Sequence, residues 1–274
     1  MKAIKFLTHI ILIILLTAIT QIGGVIYLIS LIIKPYLINR TRLNKKIVFS
    51  GVFIIMYFLF SVLIIPPVAK SYGREALPVF SNKNLKPLNI MTCILNRHYV
   101  RPELKENIKS VAKKMNKKYP NTILSYLDAN FPFYNGFPLL PHLSHNDGKK
   151  LDIAFFYKDK SDNELNKKTP SFMGYGVFEE PKKGEYNAPK NCKDKGFWQY
   201  SILENFVPQW KKEDMVFDSK RTKSMVQFML QEKNTGKIFI EPHLKTRMGL
   251  QNNKIRFHGC RAVRHDDHVH LQIR

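Results

Sequence analysis

The sequence predicts an α+β domain with a mainly antiparallel sheet carrying a zinc site, preceded by two N-terminal transmembrane helices. Three observations support this. Two long uncharged runs lie near the N-terminus, helical and strand periodicities alternate in the remainder, and histidines cluster in two distant segments of the 274-residue chain. The length beyond the apolar runs is enough for one domain with its own core.

The N-terminal runs cover residues 6–33 and 47–69 and contain no Asp, Glu, Lys or Arg. Each exceeds the roughly 20 residues that cross a bilayer as a helix, so we predict a membrane anchor over residues 1–70. An alternative for the first run is a signal peptide ending near Ala18, with its short basic start and apolar middle.

Charge sets the expected orientation of this anchor. Only Lys2 and Lys5 precede the first run, whereas the connection between the runs has five bases and no acid: Lys34, Arg40, Arg42, Lys45 and Lys46. Because basic loops stay in the cytoplasm, we expect both ends of the anchor to face outward. The protein would then lie in the cell inner membrane, with its domain in the periplasm or outside the cell.

A tether is predicted over residues 71–90, after Pro66-Pro67, and one domain over 91–274. Pro102 opens a helix with apolar residues at helical spacing, and a second helix surrounds Met225–Leu230. Strand patterns occupy 122–127, 152–157, 237–241 and 269–273.

The histidine clusters are the segments HLSHNDGKKLDI and HDDHVH. Imidazole and carboxylate are ligands that Zn²⁺ takes. In an extended strand His268 and His270 share one face, so either can join His145 and Asp152 at one ion. Three ligands leave an open position, as in catalytic sites, whereas use of all four residues would close a structural site.

These motifs also carry a family resemblance. His145-Asn146-Asp147-Gly148, then Asp152, with His268-Val269-His270 downstream, resembles the group of lysostaphin-type endopeptidases, D-Ala-D-Ala carboxypeptidases and the hedgehog signalling domain. His142, the HDDHVH string and the segment KIFIEPHLKTRMGL are most similar to penicillin-insensitive murein endopeptidases. The resemblance covers about residues 120–157 and 220–274.

The resemblance implies a role for each matching residue. His145, Asp152 and His270 would bind zinc, His268 would act as general base or transition-state stabiliser, and His142 and His265 would be further active-site histidines. The implied reaction is hydrolysis of D-alanyl cross-links between peptidoglycan stem peptides by metal-activated water. The alternatives are a D-Ala-D-Ala carboxypeptidase and a zinc-stabilised binding module without activity.

Two aspartates next to these histidines suit a supporting role. Asp266 and Asp267 can orient neighbouring imidazoles, and Asp267, three residues before His270, is also a candidate base. The other histidines fit no ligand spacing and are predicted to be structural or on the surface: His9, His98, His243 and His258.

Other features leave alternatives open. Lys149 and Lys150 stand where the family has small or apolar residues, and the lysine-rich segment 158–195 is either a substrate-facing loop or an insertion. The pairing of Cys93, Cys192 and Cys260 cannot be read from the sequence, although a bridge at Cys260 would brace the approach to His265.

The formal net charge of +23 would attract polyanions such as peptidoglycan carboxylates or anionic lipid headgroups. No RNA- or DNA-binding motif accompanies that charge, so nucleic acid is not an expected partner.

Overall fold

The structure is a computed structural model that describes residues 2–38 and 43–274, so Arg40 and Arg42 of the basic connection lie outside the described residues. The α-helices are α1 Lys2–Thr20, α2 Gly23–Ile38, α3 Lys45–Leu59, α4 Ile65–Ser71, α5 Met91–Ile94, α6 Pro102–Lys118, α7 Ala188–Asp194, α8 Ser219–Gln231 and α9 Pro242–Arg247. A π-helical turn, Phe60–Ile64, joins α3 to α4, and 3₁₀ helices cover Trp198–Asn205 and Trp210–Asp214.

The strands are β1 Glu75–Ala76, β2 Leu85–Pro87, β3 Tyr99–Val100, β4 Leu124–Tyr126, β5 Lys150–Ala154, β6 Tyr157–Lys158, β7 Glu164–Leu165, β8 Val216–Phe217, β9 Thr235–Phe239, β10 Ile255–Arg256 and β11 His268–Ile273. Six of them form the main sheet in the order β10-β9-β11-β5-β4-β2. Its central pairings are antiparallel. At the two edges, β10 pairs in parallel with β9, and β2 pairs in parallel with β4. The α+β prediction is confirmed, with a mixed sheet whose centre is antiparallel.

Helices α6 and α8 pack together over this sheet. The apolar positions that predicted α6 are fully buried: Leu104, Ile108, Val111, Ala112 and Met115. In α8, Met225, Val226 and Met229 are buried likewise. Burial of these stripes against the sheet is what holds the helices in place.

The predicted tether over 71–90 is wrong, because most of it belongs to the domain. Strand β1 pairs with β3, and β2 forms an edge of the main sheet beside β4. Leu77 and Leu85 are buried in the main core. Their burial, with the strand pairing, explains why the chain enters the domain almost directly after α4.

The first apolar run, 6–33, is also not one helix. It divides at Gln21, which has a positive φ of 66°, and α1 and α2 fold back on each other as an antiparallel hairpin. At the turn a Cβ on Gly24 would lie 2.1 Å from Thr17 Oγ1, so only glycine allows the two helices to approach this closely.

Two helical stretches are long and apolar enough to cross a membrane, Lys2–Thr20 and Lys45–Ser71, and α2 adds a shorter apolar helix. The second stretch extends the predicted run 47–69 at both ends. Their large apolar side chains are mostly exposed, including Phe6, Ile14 and Phe58. These helices therefore do not form a buried core of the domain.

The hairpin turn rests against the domain. Ile22 and Ile26 pack in one cluster with Ile65 and Tyr99. The Phe133 N–H donates a hydrogen bond of 2.9 Å to Gln21 Oε1. The start of α1, the end of α2 and the start of α3 consequently lie at the helix ends that point away from the domain.

Candidate metal centre

Strands β5 and β11 bring the two histidine-rich segments together. In their antiparallel register His270 lies directly opposite Asp152, and His268 opposite Ala154. Both strands are central in the sheet and almost wholly buried. Asp152 Oδ1 lies 2.9 Å from His270 Nδ1.

His145 reaches the same point from the loop before β5. Its Nδ1–H donates to the Ala129 carbonyl oxygen at 2.6 Å, which leaves the Nε2 lone pair facing the site. That Nε2 lies 3.2 Å from Asp152 Oδ1 and 3.1 Å from His270 Nδ1. Gly148, with a positive φ of 80°, makes the turn between this loop and the strand.

The three side chains form a buried group that could hold a metal ion. Asp152 Oδ1 is buried and has no hydrogen bond of acceptable geometry, despite its two close imidazole neighbours. Burial raises the pKa of Asp152, but its interactions with the imidazoles of His145 and His268 lower it by more, so the pKa lies well below its usual value. Burial lowers the pKa of His270 to about 3, so its imidazole is neutral and can act as a ligand.

His268 lies next to this group of three residues but does not belong to it. Its Nε2 is 3.5 Å from Asp152 Oδ1, and its Nδ1 is hydrogen-bonded to Asp267 Oδ1. Burial lowers the pKa of His268, but the carboxylates of Asp152 and Asp267 raise it by more, to about 9. The residue can therefore hold a proton beside the metal group.

Of the two aspartates, Asp267 is the one that contacts an imidazole beside the metal group, that of His268. Its second oxygen accepts a 2.6 Å hydrogen bond from the Gly176 N–H, so both oxygens are engaged. Asp266 instead accepts from Arg264 Nε at 2.9 Å. Its nearest imidazole in an ion-pair geometry is His243, at 3.7 Å.

His142 and Tyr175 contact the other oxygen of Asp152. The Tyr175 hydroxyl donates to Asp152 Oδ2 at 2.9 Å, and His142 Nδ1 lies 3.5 Å from the same oxygen. His142 Nδ1 is also 3.2 Å from Asp128 Oδ2. Asp128 in turn forms an ion pair of 3.3 Å with Arg97.

His265 is buried within ring-contact distance of the two strand histidines. Its ring centroid lies 5.0 Å from that of His268 and 5.5 Å from that of His270. Its Nδ1 has no hydrogen-bond partner among the described residues, and burial lowers its pKa well below the usual range. The backbone of His265 is fixed instead, because its N–H donates to Glu241 Oε1 at 3.3 Å.

Segment 158–195 covers one side of the site. It supplies Tyr175 and the Gly176 N–H, and the Glu179 N–H donates to the Asp266 carbonyl oxygen at 2.7 Å. Near its end, Cys192 forms a disulfide with Cys260, which joins α7 to the loop before His265, and Cys93 is free. Segment 158–195 is therefore part of the wall around the metal group.

A cavity of about 510 Å³ opens over these residues. All six predicted metal and catalytic residues line it: His142, His145, Asp152, His265, His268 and His270. His258 is exposed, as predicted for a surface residue, but it also lines the cavity and stacks on Phe239 at 4.1 Å. His98 and His243 are buried elsewhere, as expected of structural residues.

Three further residues of the site were not anticipated. Asp128 directly follows a predicted strand, and Tyr175 stands between two glycines with positive φ values of 81° and 83°. The strand end before Asp128 and the glycines on either side of Tyr175 both indicate positions where the backbone conformation is constrained. No spacing rule links His258 to the ligand motifs.

No protein-family model matches the chain, and no curated protein is significantly similar to it.

Proposed function

We propose that this protein is a membrane-anchored zinc peptidase that hydrolyses D-alanyl cross-links between peptidoglycan stem peptides. The observation that carries the proposal is the convergence of His145, Asp152 and His270 on one buried point, with His268 beside them. The motif resemblance to murein endopeptidases supplies the substrate class.

The donor set fits zinc. Bonds of 2.0–2.1 Å in a tetrahedral site hold ligand atoms about 3.3 Å apart. The three donor atoms are separated by 2.9, 3.1 and 3.2 Å. Two imidazoles and one carboxylate match the three-ligand sets of catalytic zinc. Zinc bound there would supply a Lewis acid for the peptide carbonyl and lower the pKa of a water molecule.

The chain's own residues supply the proton chemistry. Asp267 holds His268 Nδ1, so Nε2 is directed to the metal group. A protonated Nε2 can donate to the oxyanion that develops on the carbonyl, and a neutral one can accept a proton from water. A cation bound to Asp152 would offset the effect of that carboxylate on the pKa of His268. Asp267 would still raise this pKa.

The anchor supports a location outside the cytoplasm. Because α1 and α2 form a hairpin whose turn contacts the domain, the bases at the opposite helix ends lie on the side away from it. They are Lys2 and Lys5 in α1, Lys34 in α2, and Lys45 and Lys46 in α3. Because basic segments tend to stay in the cytoplasm, this arrangement favours a domain outside the cytoplasm. In this proposed arrangement the N-terminus belongs on the cytoplasmic side, which differs from the expectation that both ends of the anchor face outward.

The disulfide agrees with this location, since such bonds persist in oxidising compartments. We therefore propose the inner membrane, with the domain in the periplasm or at the cell exterior. The apolar helices would contact the lipid bilayer, and stem peptides would enter the cavity over the metal group.

The test is hydrolysis of purified muropeptide dimers by the full-length protein in detergent, with zinc or with a chelator. Monomers that form only with zinc support the endopeptidase, and released alanine supports the carboxypeptidase. Bound zinc without any product favours a binding module. His268→Ala should keep the metal and lose turnover, and β-lactams should not inhibit, because no serine nucleophile is involved.

A further inference from the structure

The cavity over the metal group has an arginine at its rim. Arg261 lines it and is exposed. No hydrogen bond or ion pair engages its guanidinium within the part of the chain that the structure describes. Arg264, three positions later, differs because its guanidinium binds Asp266 and Glu180 and packs on Phe178.

The loop that carries Arg261 is held in place. Cys260 is bonded to Cys192, and the Ala262 N–H donates to the Gly259 carbonyl oxygen at 3.1 Å. Two positions from the disulfide, His258 stacks on Phe239. A guanidinium on such a loop is partly pre-organised for a ligand, which lowers the entropic cost of binding.

The charge of the cavity favours an anion at this rim. Asp152 is the only acidic residue among its described lining residues, and it belongs to the metal group. A guanidinium binds carboxylate oxygens through paired hydrogen bonds. The free donors of Arg261 therefore match a substrate carboxylate close to the reacting amide.

We propose that Arg261 binds a free carboxylate on the substrate residue that leaves with the scissile nitrogen. The inference rests on the proposed function and narrows its substrate class. Preferred peptides would carry a carboxylate on the carbon bonded to that nitrogen, as a terminal D-Ala-D-Ala does. Cross-links in which this carboxylate is an amide would be poor ligands.

The test compares two probes, an acetylated peptide ending in D-Ala-D-Ala and the same peptide with a C-terminal amide. Binding is measured to zinc-loaded, full-length His268→Ala protein in detergent, so that neither probe is consumed. The acid should bind roughly 10- to 100-fold more tightly than the amide, as is typical for a charge-assisted hydrogen bond. Adding Arg261→Gln should remove that preference, and Arg261→Lys should restore part of it.

Arg256→Gln is the matched control, because Arg256 is exposed just before the same loop and does not line the cavity. It should keep the preference for the acid. Equal binding of the two probes, a preference that survives Arg261→Gln, or binding of neither probe would overturn the inference.

Hydrolysis by the wild-type protein is scored separately. If the acid binds through Arg261 but no peptide is cleaved, the inference stands and the proposed peptidase activity fails. In an active enzyme, Arg261→Gln should raise KM for the acid by the same factor, while KM for the amide stays unchanged.

Discussion

Asp152 and His270 are cross-strand partners at the centre of the sheet, and Asp152 Oδ1 lies 2.9 Å from His270 Nδ1. The sheet register alone therefore sets two of the three proposed ligands side by side. His145 comes from the loop before β5, and its imidazole is held by the hydrogen bond from Nδ1–H to the Ala129 carbonyl oxygen. A site built on two central strands is held more rigidly than one built on loops.

The Asp267–His268 pair predicts a separation of turnover from metal binding. Asp267→Asn should lower kcat roughly 10- to 100-fold, as loss of an outer-shell partner does, because His268 loses the group that holds Nδ1. Zinc content, measured by mass spectrometry of the metal, should be unchanged. Asp162→Asn, at an exposed position outside the metal group, is the control. A variant with normal kcat would argue against this role.

Tyr175 predicts an effect on metal affinity. Tyr175→Phe removes the hydroxyl that donates to Asp152 Oδ2, so zinc affinity should fall roughly 10- to 100-fold. Competition with a chromophoric chelator gives the value. Tyr186→Phe, at an exposed position in the same segment, should have no effect. Equal affinity in both variants would show that Tyr175 is only part of the cavity wall.

The hairpin turn gives a test of the anchor. A side chain at Gly24 would meet Thr17 Oγ1 at 2.1 Å and the Ile13 carbonyl oxygen at 2.6 Å, whereas one at Gly51 would meet nothing within 4 Å. Gly24→Leu should destabilise the protein by about 1–3 kcal/mol, the usual cost of overpacking. Thermal unfolding in detergent checks this, with Gly51→Leu as control. Equal melting temperatures would reject the hairpin.

Much of this architecture follows from local sequence patterns, because the spacing of apolar residues indicates which face of a helix or strand is buried. The apolar stripe of α6 and the alternation around His268 and His270 predict elements that the structure contains. The break at Gln21 is also local, and Gly23-Gly24 is its signal.

Other contacts depend on tertiary packing. Tyr175 reaches Asp152 across 23 positions, and His258 enters the cavity through stacking on Phe239. Neither partner can be read from periodicity. The tether prediction over residues 71–90 is wrong for the same reason, because Leu77 and Leu85 enter the core through tertiary packing although prolines lie near them.

His98 predicts a pH dependence of stability. It is buried against Tyr99, and burial lowers its pKa from 6.5 to about 4. A depressed folded-state pKa stabilises the fold above the unfolded pKa, and this contribution is lost as the pH falls from about 6.5 to about 4. The loss amounts to about 3 kcal/mol.

The measurement is the melting temperature of wild type and His98→Gln across that range. The wild type should lose its advantage over the variant as the pH falls, because glutamine does not titrate. A constant difference between the two proteins would mean that His98 is not the titrating group.

Metal stoichiometry of the full-length protein tests the central claim most directly. Wild type dialysed against zinc should hold one ion per chain, and Asp152→Ala should lose it, with an affinity reduced by more than about 100-fold. Asp147→Ala, a change in the same motif at a residue outside the metal group, should retain the ion. Equal zinc content in wild type and Asp152→Ala, or no zinc in either, would contradict the account.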